Sequence, residues 1–225
     1  MNSANKTSRI LGVAFLFQFV TSFSNGVFLK PALIVPDDIR ESMIRIASNA
    51  WLMRANILLD LLTALGVIFL GAILFESLRK QNEKMALTAL GFYVLEAALL
   101  AASRAEAFSL LRMSQQYVTA GQPVLLETMA GLAIESMDFV GSTLHTLVFC
   151  SGGLLFYSLL YRSRIVPPAL SLWGLITVLP LLIGMLCAVL GYELPFILYL
   201  PYVPFEFVIG VWILIKGVRA SSEKL

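Results

Sequence analysis

Asp60, Glu96, Asp138, His145 and Glu206 stand inside stretches of sequence that are otherwise apolar. An ionisable side chain is costly in an apolar medium and persists there when it is paired, solvated or used. Polar residues recur around these groups at helical spacing. Gln18, Thr21, Ser22 and Asn25 form one such set, as do Asn56, Asp60 and Thr63, and Tyr93, Glu96 and Ser103. Asp138, Gly141, Ser142 and His145 form a fourth, and Tyr199, Tyr202 and Glu206 a fifth. Intervals of three, four and seven put each set on one helical face. The acids Asp60, Glu96, Asp138 and Glu206 outnumber Arg54, Arg104 and His145. A water-filled pocket built from them favours cations, amines or exchangeable protons. The candidate ligand contacts are therefore Asp60, Glu96, Asp138, His145, Tyr202 and Glu206.

Two other chemistries compete with that reading. Ser142 and His145 lie three residues apart, so a hydrolase or lipid-modifying enzyme would use Ser142 as nucleophile and His145 as base. No glycine-flanked nucleophile turn surrounds Ser142, however, and no oxyanion donors are apparent. A single histidine excludes sites built on two or three protein imidazoles within one chain, and no metal-ligand spacing is present. No metal or cofactor is expected. In the third reading the charges only glue helices together, Glu96 with Arg104 and His145 with Asp138 or Glu206, or meet another membrane subunit. Cys150 and Cys187 lie in apolar runs and read as small buried hydrophobes.

The elements that carry these residues follow from composition. The 225 residues are 59% hydrophobic and 13% charged, with a mean hydropathy of +0.86. A soluble domain carries roughly 25% charged residues, so lipid must solvate much of this chain. The net charge of +2 is too balanced for a nucleic-acid partner. Apolar runs predict six spans within one integral-membrane domain covering 1–225, at about 10–29, 55–75, 85–103, 137–161, 167–190 and 196–216. The fold class is all-α, a six-helix transmembrane bundle, because helices satisfy their own backbone in hydrocarbon and these runs lack the alternation of barrel strands. Pro180 and Gly184 mark a kink and a close-packing point in the fifth span.

Basic residues set the orientation. An inside N-terminus gives the cytoplasm Lys6 and Arg9, then Arg79, Lys80 and Lys84, then Arg162 and Arg164, then Lys216, Arg219 and Lys224. The far side receives Lys30, Arg40, Arg45, Arg54, Arg104 and Arg112 over longer, more acidic loops. Both termini are expected in the cytoplasm. At 1.5 Å per residue, Asp60, Glu96, His145 and Glu206 then fall on the order of 10–15 Å below the outer interface, which predicts one outward-opening polar cavity.

Two outer loops carry amphipathic helices. Asp37 is expected to cap the first, whose apolar residues Ile39, Met43, Ile46 and Ala50 would lie on the membrane surface before Trp51 marks the interface. In the second, Pro123 suits a first helical position, and Leu125, Leu126, Met129, Leu132 and Ala133 form an apolar face against Glu127 and Glu135. The fourth span should emerge from it through a bend near Gly131 or Gly141.

Several segments carry a family resemblance: RILGVAFLFQFV, GFYVLEAALLAASR, LHTLVFCSGGLLFYSLLYRSRIVPPALSLWG and PFEFVIGVWILIKGV. Through them most of the chain resembles a family of bacterial six-span integral-membrane proteins known as a domain of unknown function. Glu96, His145, Arg162, Ser163 and Glu206 match that family's recurrent polar positions. The resemblance implies a multipass protein of the bacterial cell membrane, with the lipid bilayer as its partner, and supplies no activity. The best reading of the residues themselves is binding or transport of a small cationic or protonatable ligand.

Overall fold

The computed structural model describes residues 3–192, 194, 195, 197 and 199–218. Phe196, where the sixth span is expected to begin, and the basic residues Arg219 and Lys224 lie outside them. Among the described residues every regular element is helical: α1 (Ser3–Ser24), α2 (Lys30–Leu33), α3 (Ile39–Ser48), α4 (Ala50–Leu78), α5 (Glu83–Thr119), α6 (Val124–Asp138), α7 (His145–Ser163), α8 (Pro168–Val189) and α9 (Val203–Lys216). Two π-helical stretches interrupt this pattern. Asn25–Leu29 joins α1 to α2, and Phe139–Leu144 joins α6 to α7, so each joined set forms one long rod.

Five of these rods are long and apolar enough to cross a membrane: Arg9–Leu33, Ala50–Leu78, Glu83–Thr119, Val124–Ser163 and Pro168–Val189. Helix α9 has 14 residues and follows a 3-10 turn at Leu200–Tyr202; at 1.5 Å per residue it is about 21 Å long, short of a hydrocarbon core of about 30 Å. The helices pack as a closed ring in the order α1, α4, α5, α7, α8, α9 and back to α1. Polar side chains turn inward, with Gln18, Asn25, Asn56, Asp60, Thr63, Glu96 and Arg104 all buried. Large apolar residues such as Val20, Leu58, Leu65, Phe69, Leu87, Phe108, Ile176 and Ile183 face outward. That inside-out arrangement is stable when the surrounding solvent is lipid.

Small residues set the closest seams. A methyl group on Gly12 of α1 would stand 2.6 Å from the Leu214 amide nitrogen and 3.0 Å from the Gly210 carbonyl of α9. Two helix backbones meet there without side chains between them, as small residues allow in membrane bundles. Gly184 of α8 leaves the space that the Tyr199 ring fills, so it is the expected close-packing point. Cys150 is buried in the core as a free thiol and Cys187 is half-buried.

Helix α5 runs well beyond the Ser103 at which its span was expected to end. Its 37 residues extend for about 55 Å, so part of it protrudes from a core of about 30 Å. The protruding part supports a second apolar cluster, in which Met43 and Ile46 of α3 meet Leu110, Leu111 and Tyr117 of α5 and Ala130 and Ala133 of α6. Helix α3 therefore buries its apolar face in protein rather than in the membrane surface. Asp38, not Asp37, caps it by accepting the Glu41 amide at 2.9 Å; Asp37 instead takes a left-handed turn with φ of 60°.

Pro123 stands one place earlier than expected, as the cap of α6 rather than its first helical residue. The expected apolar face of α6 is also rotated. Leu125, Met129 and Leu132 are exposed, while Ala130, Ala133 and Met137 are buried, because close helix packing selects small residues. At the tip, the Tyr117 hydroxyl donates to Glu127 at 2.7 Å and Arg40 Nε donates to it at 3.0 Å. The Tyr117 hydroxyl bond and the Arg40 charge hold the Glu127 carboxyl below its ordinary value.

Candidate functional site

The π stretches shape the interior. An i→i+5 turn widens the helix and interrupts the 3.6-residue phase. Here the two stretches face one another, and their flanking residues Lys30 and Asp138 form an ion pair of 2.6 Å. Gly141 is required by close approach: a side chain there would collide with the Ser103 hydroxyl and stand 2.8 Å from Arg104 Nη2. Of the two glycines near which a bend is expected, Gly141 is the one packed closely against a neighbour; a methyl group on Gly131 would meet nothing within 4 Å.

A cavity of about 220 Å³ lies between the π stretches, α4 and α5. Asp60, Arg104, Asp138, Ser142 and His145 line it, with Asn25, Lys30 and Asn56. Its charges cancel in pairs. Arg104 donates from Nη1 to Asp60 at 2.5 Å and from Nη2 to the Ser103 hydroxyl at 2.9 Å, while Lys30 neutralises Asp138. Asn56 donates to Asn25. A third cavity, of about 650 Å³, lies on the α3 and α6 side of the Lys30–Asp138 pair, which borders both spaces.

A second interior cavity, of about 610 Å³, opens on the other side of His145. Glu96, Glu206, Gln18, Ser22, His145, Thr146, Tyr199 and Tyr202 supply its polar lining; Phe19, Phe23, Phe149, Leu181 and Leu200 supply apolar walls. Glu206 accepts the Tyr202 hydroxyl at 2.9 Å, and Tyr202 shares a 2.6 Å hydrogen bond with Tyr157. Oε1 of Glu96 lies 3.4 Å from Nε2 of His145 without hydrogen-bond alignment, and its Oε2 has no partner among the described residues. Among the described residues no lysine or arginine lines this cavity. His145 lines both interior cavities, with Asp60 on one side and Glu96 and Glu206 on the other.

The expected charge pairs are replaced by others. Arg104 binds Asp60 rather than Glu96, His145 faces Glu96 rather than Asp138 or Glu206, and Asp138 binds Lys30. Arg104 is also no rim residue, because α5 continues past it and Asp60 takes up its charge. Ser142 and His145 share the smaller cavity, and the His145 amide donates to the Ser142 carbonyl, but no hydrogen bond joins their side chains among the described residues. The imidazole instead faces Glu96 and, at 3.4 Å, the Thr146 hydroxyl. Ser142 falls within the π stretch, where an i,i+3 spacing no longer aligns side chains as in an α-helix.

Lys30, Asn25, Asn56, Arg104, Tyr157 and Gln18 complete the two cavities or their support, and sequence reasoning did not select them as contacts. Helical phase marked Gln18, Asn25 and Asn56 as inward-facing. Lys30 carried no such signal, because the apolar run ends just before it. Among the described residues no group of three or more His, Cys, Asp and Glu side chains is placed to hold a metal ion.

No curated protein and no solved structure matches the chain. A family model does. The model described as Domain of unknown function (DUF4386) matches residues 10–217, and the chain belongs to that family.

Proposed function

We propose that this protein binds or transports a small cationic or protonatable ligand, and that the ligand occupies the cavity lined by Glu96, His145, Tyr202 and Glu206. One observation carries the reading: in the smaller cavity every acid is paired with a base, whereas in the larger one two carboxylates face a single imidazole. Uncompensated negative charge in a low-dielectric space attracts positive charge more strongly than the same charge at a surface. The protein is read as a six-span bundle of the bacterial cell membrane, its sixth crossing made by the turn at Leu200–Tyr202 together with α9, with both ends in the cytoplasm and this cavity reached from outside. The basic turns at Arg79 and Lys80 and at Arg162 and Arg164 support that orientation, since positive residues favour the cytoplasmic face.

The test is charge-selective labelling. Variants Glu206→Cys, Leu181→Cys, Glu96→Cys and Asp60→Cys are treated in vesicles with membrane-impermeant thiol reagents, one cationic and one anionic. At Leu181→Cys, on the wall of the Glu96–Glu206 cavity, the cationic reagent should react faster by about tenfold, and adding Glu96→Gln and Glu206→Gln should abolish that preference. Equal rates for the two reagents, or no reaction at any of the four positions from either side, would overturn the reading.

A further inference from the structure

We propose that the ligand of the Glu96–Glu206 cavity is a hydrophobic primary or secondary ammonium ion, with an aryl or alkyl body and at least one N–H. The inference rests on the cation reading and narrows it in two respects. The first is hydrogen-bond polarity. Glu96 is 1% exposed, lines the cavity and keeps one side-chain oxygen without a partner among the described residues. Glu206, with one hydrogen bond from Tyr202, is the second carboxylate acceptor. Buried acceptors left unmet are costly. An ammonium group carrying N–H bonds supplies donors to such acceptors, whereas a quaternary ammonium supplies charge alone.

The second respect is the opposite wall. Phe19 stacks on Phe23 with ring centroids 5.2 Å apart, Phe149 meets the Tyr202 ring edge-on at 5.5 Å, and Leu181 and Leu200 extend the apolar surface. Water gains little from such a surface, and an aryl or alkyl body that covers it releases that water. Aromatic faces also attract the cationic head. A space of about 610 Å³ is far larger than methylammonium or an alkali ion needs and falls in the range of organic ligands. A bare metal ion would need several oxygen ligands converging on it, and the described residues hold no such group.

The test is calorimetric titration of the full chain in lipid nanodiscs with four probes: phenethylammonium, its N,N,N-trimethyl analogue, methylammonium and potassium. Phenethylammonium should bind at least about tenfold more tightly than the other three, since it alone combines charge, donors and apolar area. Glu96→Gln and Glu206→Gln should each weaken it by about tenfold; Glu206→Gln is the second arm in case Glu96→Gln fails to fold. Equal or tighter binding of the trimethyl analogue would overturn the requirement for N–H. Preference for methylammonium or potassium would overturn the hydrophobic body, and either result would leave the cation reading standing. Binding of none of the four would overturn the cation reading along with this inference.

Discussion

Glu96 and His145 face each other across 3.4 Å at the wall shared by the two interior cavities. Glu96 lines only the larger space, while His145 lines both. On the side of Asp60 each carboxylate has a basic partner; on the side of Glu96 the carboxylates have, among the described residues, only this imidazole. The functional reading depends on that asymmetry.

The chain has one histidine, so the imidazole signals in an NMR spectrum belong to His145. Glu96→Gln is expected to displace those resonances strongly. Asp138→Asn, which removes a carboxylate already bound to Lys30, should leave them nearly in place. Comparable shifts from both substitutions would argue against the Glu96–His145 contact.

Arg104 and Asp60 are both buried, with side chains 9% and 10% exposed. Arg104→Gln should therefore destabilise the protein by about 3–5 kcal/mol, because it leaves Asp60 without a counter-charge. Adding Asp60→Asn should recover most of the loss. Thermal unfolding in one detergent, compared across the single and double variants, reads this coupling; additive losses would deny it.

The two glycines of the π stretches are expected to behave oppositely. Gly141→Ala collides with Ser103 and crowds Arg104, a fault of about 1–3 kcal/mol in a packed interior. A methyl group on Gly26 meets nothing within 4 Å, so Gly26→Ala should be close to neutral. Thermal unfolding of the two variants side by side checks the packing of the second π stretch.

Lys30 and Asp138 are half-exposed, so losing their ion pair should change stability by less than about 1 kcal/mol. The pair nonetheless stands between the α3–α6 cavity and the smaller interior one. Lys30→Ala is expected to speed thiol labelling of Ser142→Cys several-fold with little change in unfolding temperature. An unchanged labelling rate would show that the pair does not obstruct that route.

Glu127 gives a pH dependence of known sign. Its folded-state value is lowered, so its contribution to stability is present above the ordinary carboxylate range, near 4.3, and is lost as pH falls through the lower folded value. Unfolding temperature should drop on acidification below about pH 4. Glu127→Gln should lower it near neutrality and flatten the acid part of the profile; a parallel profile would place the acid sensitivity elsewhere.

Much of the fold was legible because lipid leaves a simple signature in sequence. Long apolar runs marked the helices, and helical phase turned Gln18, Asn25, Asn56, Asp60 and Glu96 inward, where they are buried. Helix ends were harder. Arg104 carries the charge expected at a membrane rim, yet Asp60, distant in sequence, neutralises it within the bundle. The face of α6 was misjudged because hydrophobicity does not distinguish lipid from protein; Leu125 and Leu132 face out while Ala130 and Ala133 pack. The shared depth of the acids suggested one site. The π stretches, which 3.6-residue spacing does not anticipate, and the placing of His145 between the acids divide it into two compartments.

The central claim is that the Glu96–Glu206 cavity accepts positive charge, and a pair of ligands matched in shape but opposite in charge tests it most directly. Equilibrium dialysis of the protein in nanodiscs against 3-phenylpropylammonium and 3-phenylpropanoate compares the two. The account predicts saturable binding of the ammonium ion at about one per chain, lost in Glu96→Gln/Glu206→Gln, and no saturable binding of the carboxylate, since opposite charge is what the uncompensated acids select. Equal binding of both ions, or binding of the carboxylate alone, would contradict it.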